Sequence, residues 1–208
     1  GNSDVGRTRT APVGHVDQLN LAVVSCSNYT QGFFNAYARL AERDDLDAVV
    51  HLGDYIYETG EVGRIERAHL PPREVYNLAD YRQRYAQYRS DPDLQALHQR
   101  HPMICVWDDH ESANNAWSGG AQNHSAAEGS WPDRKQDAIQ AYREWMPIRD
   151  PEPVISSERI YRSFYFGDLL KLLMLDTRLV GRDRQLRGMS DRNLASDPEL
   201  NHPTRTLL

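Results

Sequence analysis

Four short apolar runs in this 208-residue chain each stop abruptly at polar, chemistry-bearing residues, and this restricts the architecture more than any other feature. The runs are "LNLAVVSC" (19–26), "LDAVVHL" (46–52), "PMICVW" (102–107) and the second arm of "RIYRSFYFGDLLKLLMLD" (159–176). Between the first two lies "FFNAYARLAERDD" (33–45), with Phe33, Tyr37, Leu40 and Ala41 at helical spacing. Strand, helix and strand within about 35 residues predict a βαβ unit and a parallel sheet. The fold class expected is therefore α/β, a mixed β-sheet flanked by helices.

Ligands in open α/β sheets gather at the carboxyl ends of the strands. Those ends carry Cys26, then Asp54 with Tyr57, then Asp108, Asp109 and His110, then Asp176 with Arg178. A single loop aspartate is usually a turn or cap residue. Four ends that bring thiol, carboxylate, phenol, imidazole and guanidinium to one rim predict a site. A cation needs several donors converging on one point, and strand ends in a parallel sheet can supply them.

The remaining pattern is plainer. "LADYRQRYAQYRSDPDLQALHQRH" (78–101) predicts helix with a break at Asp91-Pro92. Residues 132–147 predict another helix, and 159–176 a hairpin turning at Gly167-Asp168. Residues 1–18 are a polar leading segment, 118–130 a loop, and the tail from about Gly188 is polar without a clear period. Tyr81, Tyr85 and Tyr88 follow helical spacing and are expected to pack, as are His51 and Cys105. His124 lies in the loop, where it could also reach a site.

Charge narrows the partners. Basic and acidic residues number 24 and 30, for a net charge of -6. Such a balance gives no nucleic-acid footprint. No run approaches the ~20 apolar residues of a membrane span, and residues 1–18 hold no signal-peptide-like segment. The two cysteines, Cys26 and Cys105, are too few for a disulfide framework.

The motifs also carry a resemblance. Gly53-Asp54-x-x-Tyr57 resembles the purple acid phosphatases, in which that Asp bridges two metals and that Tyr binds Fe(III). "WDDHE" (107–111) resembles the G-N-H-E block of the wider metallophosphoesterases, with Asp109 in place of the metal-binding Asn and Asp108 in place of the Gly. Taken with "SCSNY" (25–29), "HLGDYIYE" (51–58), "WDDHESANN" (107–115) and "LDTR" (175–178), the chain resembles the alkaline phosphatase D (PhoD-like) family from about residue 20 to 187.

The resemblance implies a metal-dependent hydrolase of phosphate monoesters and diesters with Fe(III) and Ca(II) as cofactors; a phospholipase D-like diesterase is the alternative. It implies that Cys26 and Tyr57 bind iron, that Asp54 bridges, and that Asp109 and Asn115 contact calcium, with Asp108 a further metal-site carboxylate. His110 and Arg178 would face the phosphate. The family is periplasmic or secreted. Its catalytic domain continues through further ligand blocks. Residues 19–208 are thus expected to be part of a metallophosphatase domain, half of a two-sheet αββα sandwich. Residues 1–18 would follow an N-terminal β-sandwich, and a fragment lacking those blocks could be non-catalytic.

Overall fold

The computed structural model describes residues 5–63, 65–149, 158–186, 200 and 202–206. Its first layer is the expected parallel unit. Strands β1 (Leu21–Val24), β2 (Ala48–His51) and β3 (Met103–Cys105) pair in the order β1-β2-β3, both ladders parallel. The middle strand β2 is buried along its whole length, and so is β3. Continuous Val and Ile runs suit strands covered on both faces. At the edge, β1 is only partly covered, and Val23 is exposed.

Helix boundaries follow local chemistry. Helix α1 (Asn35–Ala41) starts later than the apolar spacing predicts: Phe33 lies outside it and is exposed, while Phe34 and Tyr37 enter the core. The 78–101 stretch does break where expected, into α2 (Leu78–Arg89) and α3 (Pro92–Arg100). Pro92 has no N–H to continue α2, and the Asp91 side chain accepts from Asp93 N and Leu94 N to open α3. Ser130 caps α4 (Trp131–Trp145) in the same way through Asp133 N. Helix α1 packs on α3, and α2 on α3 and α4. Tyr81, Tyr85 and Tyr88 are fully buried, as their spacing predicts.

The hairpin is β4 (Arg162–Phe166) and β5 (Leu170–Met174), antiparallel and turning at Gly167. Parallel and antiparallel pairing are both present, but in separate ladders. Arg162 bridges them by donating from Nη2 to the Cys105 carbonyl at 2.8 Å. The leading segment holds the other end: Gly167 N donates to Pro12 O and Asp168 N to Gly14 O, each at 3.0 Å. Several apolar side chains of the hairpin and its flanks face outward, among them Leu169, Leu173 and Leu175. The polar tail from Gly188 falls almost wholly outside the described residues. Among the described residues, no helix is long and apolar enough to cross a membrane.

Candidate metal centre

Because β1, β2 and β3 run parallel, their carboxyl ends lie side by side. The chain leaves β1 at Cys26, β2 at Gly53-Asp54, and β3 at Asp108-Asp109-His110. Cys26 N donates to Gly53 O at 3.2 Å and Ser27 N to Asp54 O at 3.0 Å, so the first two exits are stitched together. The third is pressed against the second. A Cβ on Gly53 would stand 2.2 Å from Asp108 N, and Gly53 has φ +108°. Gly53→Ala is therefore expected to cost ~1–3 kcal/mol from backbone conformation alone, before any steric clash. A denaturant melt of the metal-free protein reads this; an unchanged midpoint would show that the two exits can separate freely.

Strain is concentrated here. Among the described residues, the non-glycine residues with positive φ are Cys26 (+60°), Asp54 (+53°) and Asn115 (+54°). Left-handed backbone costs an L-residue roughly 1–2 kcal/mol. All three are residues that the sequence marks as candidate ligands, and such strain persists where surrounding structure enforces it.

The side chains converge on Asp54. Its Oδ2 accepts from Cys26 Sγ at 3.4 Å and from Tyr57 OH at 3.2 Å; its Oδ1 accepts from His110 N at 3.4 Å. Donor atoms of Asp54, Asp109 and His110 all lie within 4.8 Å of one another. The Tyr57 and His110 rings lie 4.2 Å apart. Cys26 is exposed, in contrast to the buried Cys105, so it is a thiol available for chemistry rather than core filling.

Asp108, Arg178 and Asn115 stand differently. Arg178 Nε donates to Asp108 Oδ1 at 2.5 Å, and its Nη2 lies 3.3 Å from Asp109 Oδ1. The loop after β5 thus reaches the cluster through a guanidinium. Asp176 aims it, accepting from Arg178 N at 2.7 Å and Leu179 N at 2.9 Å. Asn115 turns its amide to Gln122 Oε1 at 2.5 Å, while its backbone N–H holds Asp109 Oδ2 at 2.5 Å. His124 pairs with Glu128 on the loop before α4, at 3.7 Å, and is absent from the donor group.

Two carboxylates that the sequence reading left without a role organise the centre. Glu111, nearly fully buried, accepts from Asp108 N at 2.8 Å, Asp54 N at 3.1 Å and Tyr55 N at 2.6 Å. It locks the second and third exits together. Glu58, fully buried, meets His110 Nδ1 at 2.6 Å and accepts from Asn114 N at 2.6 Å. With Nδ1 taken, Nε2 is the imidazole atom left for the cluster. Both glutamates stand inside the motifs quoted above, each one residue past a candidate; that adjacency was the available signal.

Electrostatically, the anionic and acidic donors crowd one another. Partial desolvation by the surrounding loops raises the Cys26 thiol pKa although the residue is exposed, and the Asp54 charge adds to it. Burial also raises Asp54, with Asp109 and Asp108 adding to the rise against the opposing effect of His110. Tyr57 is raised well above the usual phenol range by burial, then by Asp54 and Cys26. Burial opposes charging His110, but Glu58, Asp109 and Asp54 outweigh it and bring its pKa to about 9. Cys26, Asp54 and Tyr57 are thus penalised as anions by burial and then by their neighbours, and a cation among them reverses that penalty. Thiol, phenol, carboxylates and imidazole around one carboxylate fit a transition metal in donor number and chemistry.

Sheet, strand-end cluster and flanking helices define a class: an α/β protein with a carboxylate-centred group of candidate metal donors at the sheet rim. A solved structure described as "Structure of PhoD" shares this fold with a TM-score of 0.78 at 39% identity, over 89% of this chain and 36% of that one. Alkaline phosphatase D of Bacillus subtilis (strain 168) is 40% identical over 215 aligned residues, 99% of this chain and 36% of the relative. The family model for PhoD-like phosphatases matches residues 21–208. The chain belongs to the PhoD-like phosphatase family, and it spans about a third of the length of the curated relative that it matches.

Proposed function

We propose that this chain supplies part of the active centre of a metal-dependent phosphoester hydrolase acting on phosphate monoesters or diesters. The observation that carries the reading is the convergence of Cys26, Tyr57 and His110 on Asp54, with Asp109 alongside, in a family of phosphatases. In this reading the cofactors would be Fe(III), with Cys26 and Tyr57 to hold it, and Ca(II), with Asp109 and Asn115, and Asp54 would serve both. Asn115 Nδ2 donates to Gln122, and Oδ1 is the amide atom that would serve as ligand. The metals would supply Lewis acidity toward the phosphoryl group and lower the pKa of bound water.

This chain's own residues do the rest. His110, oriented by Glu58, presents Nε2 and a positive charge to a phosphoryl oxygen or leaving group. Arg178 offers a guanidinium whose fork matches phosphate oxygens; Asp108 holds that fork in place. The gap in coverage bears on activity. The relative is nearly three times as long, and the outward Leu169, Leu173 and Leu175 suit an apolar surface covered by further chain. We therefore read residues 19–208 as part of the catalytic domain and residues 1–18 as the segment leading into it. The intact protein is read as secreted or periplasmic, like the family.

Colour tests the iron assignment. Thiolate and phenolate donors to Fe(III) absorb in the visible, whereas Ca(II) and Zn(II) complexes do not. The intact protein is expected to be coloured as isolated, to lose its phenolate band in Tyr57→Phe and to lose iron in Cys26→Ser. Harm to turnover of a chromogenic phosphodiester should fall in the order Asp54→Asn, Cys26→Ser, Tyr57→Phe. A colourless, iron-free protein with full turnover would rule out Cys26 and Tyr57 as iron ligands.

A further inference from the structure

Behind the donor cluster runs a second line of hydrogen bonds that touches none of the donor atoms. His51, the last residue of β2, is fully buried. Its Nδ1 accepts from Gly53 N at 3.2 Å. An N–H can only donate, so Nδ1 carries the lone pair and a neutral ring places its proton on Nε2. Burial holds the ring neutral, with its pKa lowered to about 3. Nε2 lies 3.3 Å from Tyr37 OH, and Nε2–H can only donate there. Tyr37 OH is left to donate to Ser27 Oγ, its next partner. The direction of the links from Gly53 to Tyr37 follows from one backbone amide.

Its two ends are informative. Gly53 precedes Asp54 and Ser27 follows Cys26; both candidate ligands have left-handed backbone. In front, Cys26 Sγ meets Asp54 Oδ2 at 3.4 Å. His51 and Tyr37 tie the same two loops through a separate set of hydrogen bonds. Tyr37 is anchored by the core, its ring 5.4 Å from Phe34. A buried helix residue and a buried strand residue thus link two strained loops to each other.

We propose that His51, Tyr37 and Ser27 are positioning residues that set the Cys26 thiol against the Asp54 carboxylate from behind the centre. The proposal rests on the metal-centre reading above. It assigns to His51, which a sequence reader places simply in the core, a role in ligand geometry. Outer partners of metal ligands act this way generally, and their loss typically costs ~10–100-fold in metal affinity.

Co(II) added to the metal-free intact protein is the probe, because a cobalt–thiolate bond gives a near-ultraviolet charge-transfer band that reports Cys26 directly. Tyr37→Phe and Ser27→Ala each delete one hydroxyl and leave the packing in place. Each is expected to raise the Co(II) dissociation constant ~10-fold and weaken the band, with little change in the melting of the metal-free protein. The double variant should bind about as well as the weaker single variant, because both changes cut one chain. Cys26→Ser should remove the band in every background. If the parent shows the band and both single variants match its affinity, the proposal falls while the metal reading stands. Multiplying effects in the double variant would also overturn it, since the two hydroxyls would then act separately. A parent without the band removes the Cys26 assignment and the proposal together.

Discussion

Asp54→Asn is expected to lower turnover of a phosphodiester ~10³-fold or more in the intact protein, since even one preorganised contact to a transition state is worth roughly 10²–10³-fold. Asp54 is also the residue on which the other candidate donors converge. Oδ2 faces both Cys26 Sγ and Tyr57 OH, and Oδ1 faces the His110 amide. An amide offers one acceptor oxygen and turns an NH₂ toward the other side. Whichever way the Asn side chain sits, either the thiol and phenol or the His110 N–H faces a donor. The substitution also removes the negative charge that the proposed metals would share. Turnover, metal content and the melting curve of the metal-free protein should be measured together. The expected pattern is lost turnover and lost metal with a melt close to that of the parent. Asp54 is penalised as an anion by burial and by Asp109 and Asp108, so neutralising it does not destabilise the empty fold electrostatically. Full turnover in Asp54→Asn would remove this residue from the centre.

The second large effect concerns stability. Arg84 is fully buried on α2, and among the described residues its guanidinium donates only to backbone carbonyls. Nε reaches Leu70 O at 3.1 Å; Nη2 reaches Pro71 O at 3.0 Å and Arg73 O at 3.2 Å; Nη1 reaches Thr59 O at 2.9 Å and also Tyr57 O. These carbonyls belong to the long connection between β2 and α2, which has little regular structure to satisfy them. Arg84→Met should therefore cost about 3 kcal/mol or more, because each stranded buried acceptor costs ~1–3 kcal/mol. Arg84→Lys should fare little better: an ammonium has three donors and no planar fork. Because Tyr57 O is among the acceptors, metal affinity should fall alongside stability. Urea unfolding of the metal-free variants provides the measurement, and a loss under ~1 kcal/mol would show that the connection is held by other means.

Much of the site was legible because its signals are local. Each apolar run predicts its own strand, and strands in βαβ order are parallel, so their carboxyl ends share a rim without further information. Cys26, Asp54, Tyr57, Asp109 and His110 could be placed near one another on that ground alone. The break at Asp91-Pro92 was equally legible, since a missing N–H and a capping carboxylate act within one turn.

Other features depend on partners distant in sequence. The role of Glu111 exists only because the backbone of residues 54 and 55 arrives beside that of residue 108. Glu58 is defined by His110 and Asn114 in the same way, and Arg84 by carbonyls spread over residues 57–73. Asn115 shows the limit most plainly: its residue type points to its side chain, and only the fold reveals that its backbone N–H holds Asp109 Oδ2. Side-chain type and local periodicity were therefore enough to say which chemical groups gather at the sheet rim. Which of them face one another, and which brace the rest, was decided by tertiary structure, because a buried hydrogen bond needs its donor and acceptor brought together from separate parts of the chain.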